Sequence, residues 1–281
     1  MILFPNAKIN LGLCITGKRP DGYHDISTVM LPVGWCDILE IVPGTDDGVT
    51  LHTDDDFGDC RPENNLVLKA LHALEDYIGH SMPPLDIYLK KVIPMGAGLG
   101  GGSSDASFAI KGANELLGLG LDDEEMAKVA LRVGADCPFF IYNRPALASG
   151  IGEILEPVDV SDLKGIGLLI AKPRSQAVST REAYAGASVK ALGAGMSPAV
   201  AMRTPLQTWR VSPLLSNGFE TSIFPLRPEI EAVKKRMYDA GAVFASMSGS
   251  GASVYGLFGN AKLAEEATSV FGDCEVFAGN L

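Results

Sequence analysis

Apolar residues recur at two spacings along the first half of the chain. Leu85, Ile87 and Leu89 alternate with polar neighbours, which predicts a strand over Leu85–Lys90 with one buried face. Asp37–Val42 predicts another, ended by Pro43-Gly44. Leu66, Ala70, Leu71, Leu74 and Ile78 fall at helical spacing and predict a helix over Asn65–Ile78. Ala106, Ala109, Ile110, Ala113, Leu116 and Leu117 predict a second over Ser104–Leu117, stopped by Gly118. Asp122 followed by Glu125 forms a capping box for a third, running to Val133.

Residues Ala146–Lys164, with several glycines and a proline, predict a crossing between two halves, 1–155 and 156–281. Beyond it come a strand over Ile166–Pro173, a helical segment near Thr180 and an amphipathic helix over Glu229–Ala240, marked by Ile230, Val233 and Met237. Strands over Phe244–Met247 and Ser253–Phe258 are joined by SGSGA, Ser248 to Ala252. A helix over Lys262–Phe271 and a short strand over Glu275–Phe277 complete the pattern. Strand, helix, strand, strand, helix, strand is the split βαβ plan, so an α/β half is followed by a ferredoxin-like one. Ala191–Asn217, rich in Gly, Pro and Ser, predicts irregular backbone.

Between the strand ending at Lys90 and the helix after it lies PMGAGLGGGSSDA, Pro94 to Ala106. Glycine lets a backbone turn its N–H groups inward and a bulky ligand come close. A helix opening directly after such a loop adds unpaired N–H groups and a positive dipole end. Together these predict a phosphate site. The loop is not a Walker A, because no lysine lies between Met95 and Ile110. A dinucleotide fingerprint fits it only because a run so rich in glycine fits almost any such pattern. A flexible linker would be polar, whereas this one is framed by Ile93, Pro94, Met95 and Leu99.

Composition narrows the partners. The 281 residues carry a net charge of −11, which opposes binding to nucleic acid or to an anionic membrane. Any anionic ligand must therefore be held by local groups. The five cysteines (Cys14, Cys36, Cys60, Cys137 and Cys274) are widely spaced with no CxxC pair, which predicts reduced thiols in a cytoplasmic protein. The start of the chain is too short and interrupted for a signal peptide, and no apolar run reaches membrane-spanning length.

Three further clusters accompany the loop: PNAKIN (Pro5–Asn10) leading to DGYH (Asp21–His24), GADCPFF (Gly134–Phe140) and MSGSGAS (Met247–Ser253). Singly, each has a plain structural reading: a strand lysine, a turn aspartate before proline, a β-turn. In this order and at these intervals they resemble the small-molecule kinases named for galactokinase, homoserine kinase, mevalonate kinase and phosphomevalonate kinase, the GHMP superfamily. The resemblance runs from about Pro5 to Phe258. The DGYH and GADCP segments narrow it to the branch acting on 4-diphosphocytidyl-2-C-methyl-D-erythritol.

The resemblance implies a two-domain α/β fold, with the active site in the cleft between the domains. It implies transfer of the ATP γ-phosphoryl group to the 2-hydroxyl of that substrate, on the non-mevalonate route to isoprenoid precursors. Lys8 and Asp136 match the catalytic pair. Pro94, Met95, Gly96, Ala97, Gly98, Leu99, Gly100, Gly101, Gly102, Ser103 and Ser104 match the ATP phosphate loop, with Asn65 and Lys91 near the nucleotide. Asn10, Tyr23, His24 and Tyr184 match the substrate side, and Gly249, Ser250 and Gly251 match a second glycine turn. Mg²⁺ is expected, held through phosphates and water. Some relatives use a loop serine with a distant glutamate; Ser103 or Ser104 offers the serine, but no glutamate stands out, so no protein metal ligand is assigned. A monomer or weak homodimer is expected. Two alternatives share the loop: a superfamily member acting on homoserine or a mevalonate-like alcohol, and a nucleotide-binding module without catalysis. A small aliphatic substrate has no use for Tyr23 and Tyr184 as a sandwich, and a pure binder needs neither Lys8 nor Asp136.

Overall fold

The computed structural model describes residues 1–45, 48–53, 65–186 and 215–281. Cys60 and most of the Gly/Pro/Ser-rich segment, residues 191–214, lie outside the described residues. Packing divides the chain into two units, and the cut does not fall at residue 155. Unit 1 takes Met1–Ala7, Gly34–Ile93 and Gly100–Arg144; unit 2 takes Lys8–Val33, Pro94–Leu99 and Pro145–Leu281.

Unit 1 holds a four-stranded sheet in the order β1 (Ile2–Leu3), β4 (Ile38–Pro43), β6 (Leu85–Lys90), β5 (Val49–Thr53). β5 runs parallel to β6, and the other pairs are antiparallel. Helices α1 (Leu66–Ile78), α2 (Gly101–Leu117), α3 (Asp123–Leu131) and α4 (Cys137–Tyr142) belong to the same unit. Leu39, Ile41, Ile87 and Leu89 of the sheet share one core with Val67, Leu71 and Leu74 of α1 and with Ala106, Ala109, Ile110 and Ala113 of α2. Fully burying each leucine contributes about 2 kcal/mol. Asn65 caps α1, its Oδ1 accepting from Val67 N at 2.9 Å. The capping box of α3 is present in both directions.

Unit 2 carries two sheets. One has the order β2 (Asn6–Lys18), β3 (His24–Cys36), β7 (Ala146–Ser149), β8 (Ile154–Pro157). β2 and β3 cross the unit boundary at their ends, at Asn6–Ala7 and Gly34–Cys36. The other has the order β10 (Phe244–Met247), β11 (Val254–Phe258), β9 (Gly167–Pro173), β12 (Cys274–Asn280), antiparallel throughout. Its helices are α5 (Thr180–Ala185), α6 (Glu220–Ile223), α7 (Pro228–Asp239) and α8 (Ala261–Ala267). With β9 as first strand, this order is the split βαβ arrangement that the sequence predicts. The expected crossing at 146–164 instead contributes β7 and β8, a hairpin that extends the β2–β3 sheet. Its glycines, Gly150 and Gly152, sit at the hairpin tip with positive φ.

Candidate active site

The glycine loop has an alternating backbone. Gly96, Gly98 and Gly100 have φ of 59°, 70° and 72°, while Ala97 and Leu99 between them do not take positive φ. Left-handed and ordinary residues in alternation form a nest, a concavity lined by successive N–H groups that accepts an anion. The carbonyls, in contrast, are taken up by the protein. Gly96 O accepts from Val178 N and Ala252 N, Ala97 O from Ser253 N, and Leu99 O from Lys8 N. Gly100 is then the N-cap of α2, which begins three residues earlier than the apolar spacing predicts. The Ser104 hydroxyl in its first turn is fully buried and has no hydrogen-bond partner.

A second glycine turn braces the first. Ser248 Oγ donates to Gly98 O at 3.0 Å. A Cβ on Gly98 would lie 2.1 Å from Ser248 O, and one on Gly249 would lie 2.8 Å from Gly98 O. The two turns therefore pack backbone against backbone, with Ser250 and Gly251 completing the second. Lys8 is buried on β2, and its Nζ donates to Asn10 Oδ1 at 2.6 Å and to Gly98 O at 3.3 Å. Asn10 is held in turn: its Nδ2 donates to Thr28 Oγ1 at 3.1 Å, and Thr28 Oγ1 donates to Gly12 O. A buried ammonium is thus fixed at the carbonyl of a loop glycine.

The DGYH segment opens β3. Arg19 N donates to Tyr23 O, and Tyr23 N donates to Asp21 Oδ1, which sets a tight turn. Tyr23 is 59% exposed. His24 stacks on Tyr184 with ring centroids 4.9 Å apart and planes 20° from parallel. Beneath Tyr184, the buried Phe219 ring stands edge-on at 4.8 Å and 89°. Offset-stacked and edge-on pairs are the preferred aromatic geometries, so each ring of the shelf is supported by its neighbour.

In unit 1, Asp136 is the N-cap residue of α4, but its side chain makes no capping hydrogen bond. Cys137 beside it is buried, which pushes its thiol up to about 12 and keeps it neutral and unreactive. Lys91 sits in a buried cluster, bonded to Asp37 and to Asp105 Oδ2, the latter at 2.6 Å. Asp37 Oδ1 also accepts from Val92 N and Ile93 N, at 2.5 and 2.8 Å. One cation faces two carboxylates, so Lys91 anchors both stems of the glycine loop. A Cβ on Gly101 would lie 3.2 Å from Lys91 Nζ, so α2 starts hard against this cluster. Gly102 and Ser103 follow in the same turn, and Ser103 O accepts from Ser107 Oγ.

Burial, with the charge of Asp37 added, lifts Asp105 from 3.8 to about 7, although Lys91 pulls it back. Because the folded pKa exceeds the unfolded one, the folded protein keeps a proton the unfolded chain has lost. Stability is then expected to fall as pH rises from about 4 through about 7. Asp105→Asn mimics the protonated acid and removes that slope. Thermal melts of both proteins at pH 5 and pH 8 check this: the wild type should lose more Tm than the variant, and equal losses would refute it.

Comparison with known proteins adds the family. Residues 65–144 match the model described as GHMP kinases N terminal domain, and residues 210–273 match GHMP kinases C terminal. A 4-diphosphocytidyl-2-C-methyl-D-erythritol kinase of Parabacteroides distasonis is 45% identical over 286 residues, covering 100% of both chains. One of the same name from Bacteroides fragilis is 49% identical over 260 residues, covering 92% of each. A crystal structure of 4-(cytidine 5'-diphospho)-2C-methyl-D-erythritol kinase superposes with a TM-score of 0.82 at 30% identity, covering 99% of this chain and 98% of that one. The chain belongs to the GHMP kinase family.

ATP is the phosphate donor of GHMP kinases, and the loop suits it. Among the described residues, no group of three or more His, Cys, Asp or Glu side chains is placed to hold a metal ion. The orphaned Ser104 hydroxyl fits a phosphate oxygen, or a hydrated cation that arrives with the phosphates. Lys8, Asn10 and the two glycine turns come together in unit 2, as do His24 and Tyr184. Asn65 and Lys91 are engaged in capping α1 and in the buried ion cluster. Sequence reasoning missed Asp37, Asp105, Thr28, Asn217 and Glu220, which hold the site; Asp105 stands inside the PMGAGLGGGSSDA run, and the other four stand outside every motif. Asp105 carried a signal, as a carboxylate on the alanine-rich inner face of α2, flanked by buried Ser104 and Ala106.

Proposed function

We infer that the protein transfers the γ-phosphoryl group of ATP to the 2-hydroxyl of 4-diphosphocytidyl-2-C-methyl-D-erythritol, a step of the methylerythritol phosphate route to isoprenoid precursors. Relatives bearing that name, similar over whole chain lengths, support it. The observation that carries the choice of substrate is the His24–Tyr184 stack backed by Phe219. A flat, braced aromatic shelf beside the exposed Tyr23 suits a pyrimidine, and stacking contributes about 1–3 kcal/mol per base. A short aliphatic alcohol gains nothing from it.

Phosphoryl transfer is mainly a matter of positioning and charge. The nest of Gly96–Gly100 and the N-terminus of α2 hold the phosphates of ATP through backbone N–H groups. Asp136 accepts the proton of the 2-hydroxyl, a general-base role worth about 10²–10⁴-fold. The Lys8 ammonium favours negative charge on the attacking oxygen as the bond to phosphorus forms and ADP departs. Mg²⁺, when bound through the phosphates, supplies further charge neutralisation. Asn10 orients Lys8 and lines the substrate side with the Gly249–Gly251 turn. Among the described residues, no helix is long and apolar enough to cross a membrane.

The test is ADP release with a panel of acceptors. The cytidyl substrate should turn over, EDTA should stop it, and homoserine, mevalonate and galactose should not substitute. Stacking tolerates any base, so selection of cytosine must come from hydrogen bonds that uracil leaves unpaired, at about 1–3 kcal/mol per buried group. A uridine diphosphate analogue is expected to be at least about tenfold worse in kcat/KM. Equal use of both analogues would remove base reading by the DGYH segment; turnover of homoserine or mevalonate alone would remove the whole assignment.

A further inference from the structure

Asn217 lies outside every motif named above, yet its side chain is buried within unit 2. It is 2% exposed. Its Nδ2 donates both hydrogens, to Met247 O at 2.8 Å and to Gly249 O at 2.7 Å. Its Oδ1 accepts from Phe219 N at 2.9 Å. The first two partners lead into the second glycine turn. The third is the backbone of the ring that stands under Tyr184, on which His24 stacks.

The backbone around Asn217 is pinned independently. Leu13 N donates to Ser216 O, and Gly218 N donates to Leu13 O, so the segment lies along β2. One residue past Phe219, Glu220 Oε1 accepts from Met247 N at 2.8 Å and from Ser246 Oγ at 3.1 Å, while Oε2 pairs with Lys234 at 2.6 Å. Both backbone groups of Met247 are therefore held from residues 217–220. Only an amide presents two donors to two carbonyls and an acceptor to an N–H in this arrangement.

We propose that Asn217 is a positioning residue for substrate recognition: it fixes the Phe219–Tyr184–His24 stack in register with the Ser248–Ala252 turn. The proposal rests on the reading that this stack receives the base. Without the amide, Phe219 loses the bond that fixes its backbone, and the Tyr184 ring loses its orientation. The loop that carries the ATP phosphates keeps its other bonds, to Lys8, Val178 and Ser253. The loss should therefore fall on the cytidyl substrate more than on ATP.

The experiment is a double-mutant cycle of Asn217→Ala and Tyr184→Ala on the full chain, reading KM for each substrate with a thermal melt as the fold control. Asn217→Ala is expected to raise the cytidyl-substrate KM at least about tenfold, and ATP KM less than about threefold. In the Tyr184→Ala background the same change should add less than about twofold, because the ring it positions is gone. Should Asn217→Ala not fold, Asn217→Ser, which keeps one donor, is read the same way. Additive effects, or equal shifts in both KM values, would make Asn217 a structural residue and overturn the proposal. If Tyr184→Ala alone raises the substrate KM while the Asn217 variants do not, the proposal fails and the base shelf stands. If Tyr184→Ala leaves the substrate KM unchanged, the shelf reading itself fails, and the proposal with it.

Discussion

Replacing Asp136 with asparagine is expected to lower kcat by at least about 10²-fold while the protein melts within a few degrees of the wild type. The carboxamide keeps the shape of the side chain but cannot take the proton of the 2-hydroxyl. A structural reading of Asp136 would make it the cap of α4, and there the same change would be tolerated, since Asn and Asp cap about equally well. The side chain does not cap that helix, so capping does not account for an acid at this position. Lys8→Ala should show a loss of kcat of similar size, by a different route. It removes the charge proposed above to stabilise the attacking oxygen and leaves Asn10 Oδ1 without the Lys8 donor. Some loss of Tm is expected for Lys8→Ala and little for Asp136→Asn. Steady-state kcat and KM for both substrates, with melts of each variant, check the pair. Near-normal kcat in Asp136→Asn would make it a turn residue and end the proton-transfer role.

What the sequence made legible follows from which forces leave a periodic trace. β6 was read to the residue because one face is buried and Leu85, Ile87 and Leu89 mark it. The box at Asp122–Glu125 was legible because capping is local hydrogen bonding. The longest strands were not. β2 is buried on both faces from Asn6 to Leu13, so no alternation appears, and Lys8, Asn10 and Gly12 interrupt its apolar run. β3 hides similarly behind Pro32 and Gly34. The start of α2 was placed late because Gly101 and Gly102 are poor helix formers. Here the nest before them and the packing of α2 against its sheet decide, not propensity.

The site divides along the same line. The glycine loop announces itself because a nest needs residues without a Cβ at alternate positions. The groups that hold it do not, because each acts on a partner far away in sequence. Asp37 and Ile93 are 56 positions apart, and Asn217 and Gly249 are 32 apart. A lone buried aspartate or asparagine looks like any polar residue until the chain has folded. The cluster of Lys91 with two carboxylates shows the converse. Its lysine was singled out in the sequence through the family resemblance, but its two buried anionic partners were not.

Gly98→Ala is expected to abolish most activity, with ATP KM raised or kcat lowered at least about 10²-fold. Gly118→Ala should leave activity unchanged. The two glycines share a backbone conformation, with φ of 70° and 61°. For both, a Cβ in the left-handed region costs about 1–2 kcal/mol. Their surroundings differ. Nothing lies within 4 Å of a Cβ at Gly118, the residue that ends α2. At Gly98 it would lie 2.1 Å from Ser248 O and 2.9 Å from Gly251 N, both backbone atoms of the second turn. A flexible side chain could move aside, but two backbone turns packed together cannot without separating. Separation takes Gly98 O away from Ser248 Oγ and from Lys8 Nζ, so the nest and the Lys8 ammonium are disturbed together. The comparison separates that effect from backbone strain: Gly98→Ala is expected to lose more Tm than Gly118→Ala, and Gly98→Ala alone to lose activity. A Gly98→Ala enzyme that folds, binds ATP with wild-type KM and keeps its kcat would show that the loop carries no phosphate.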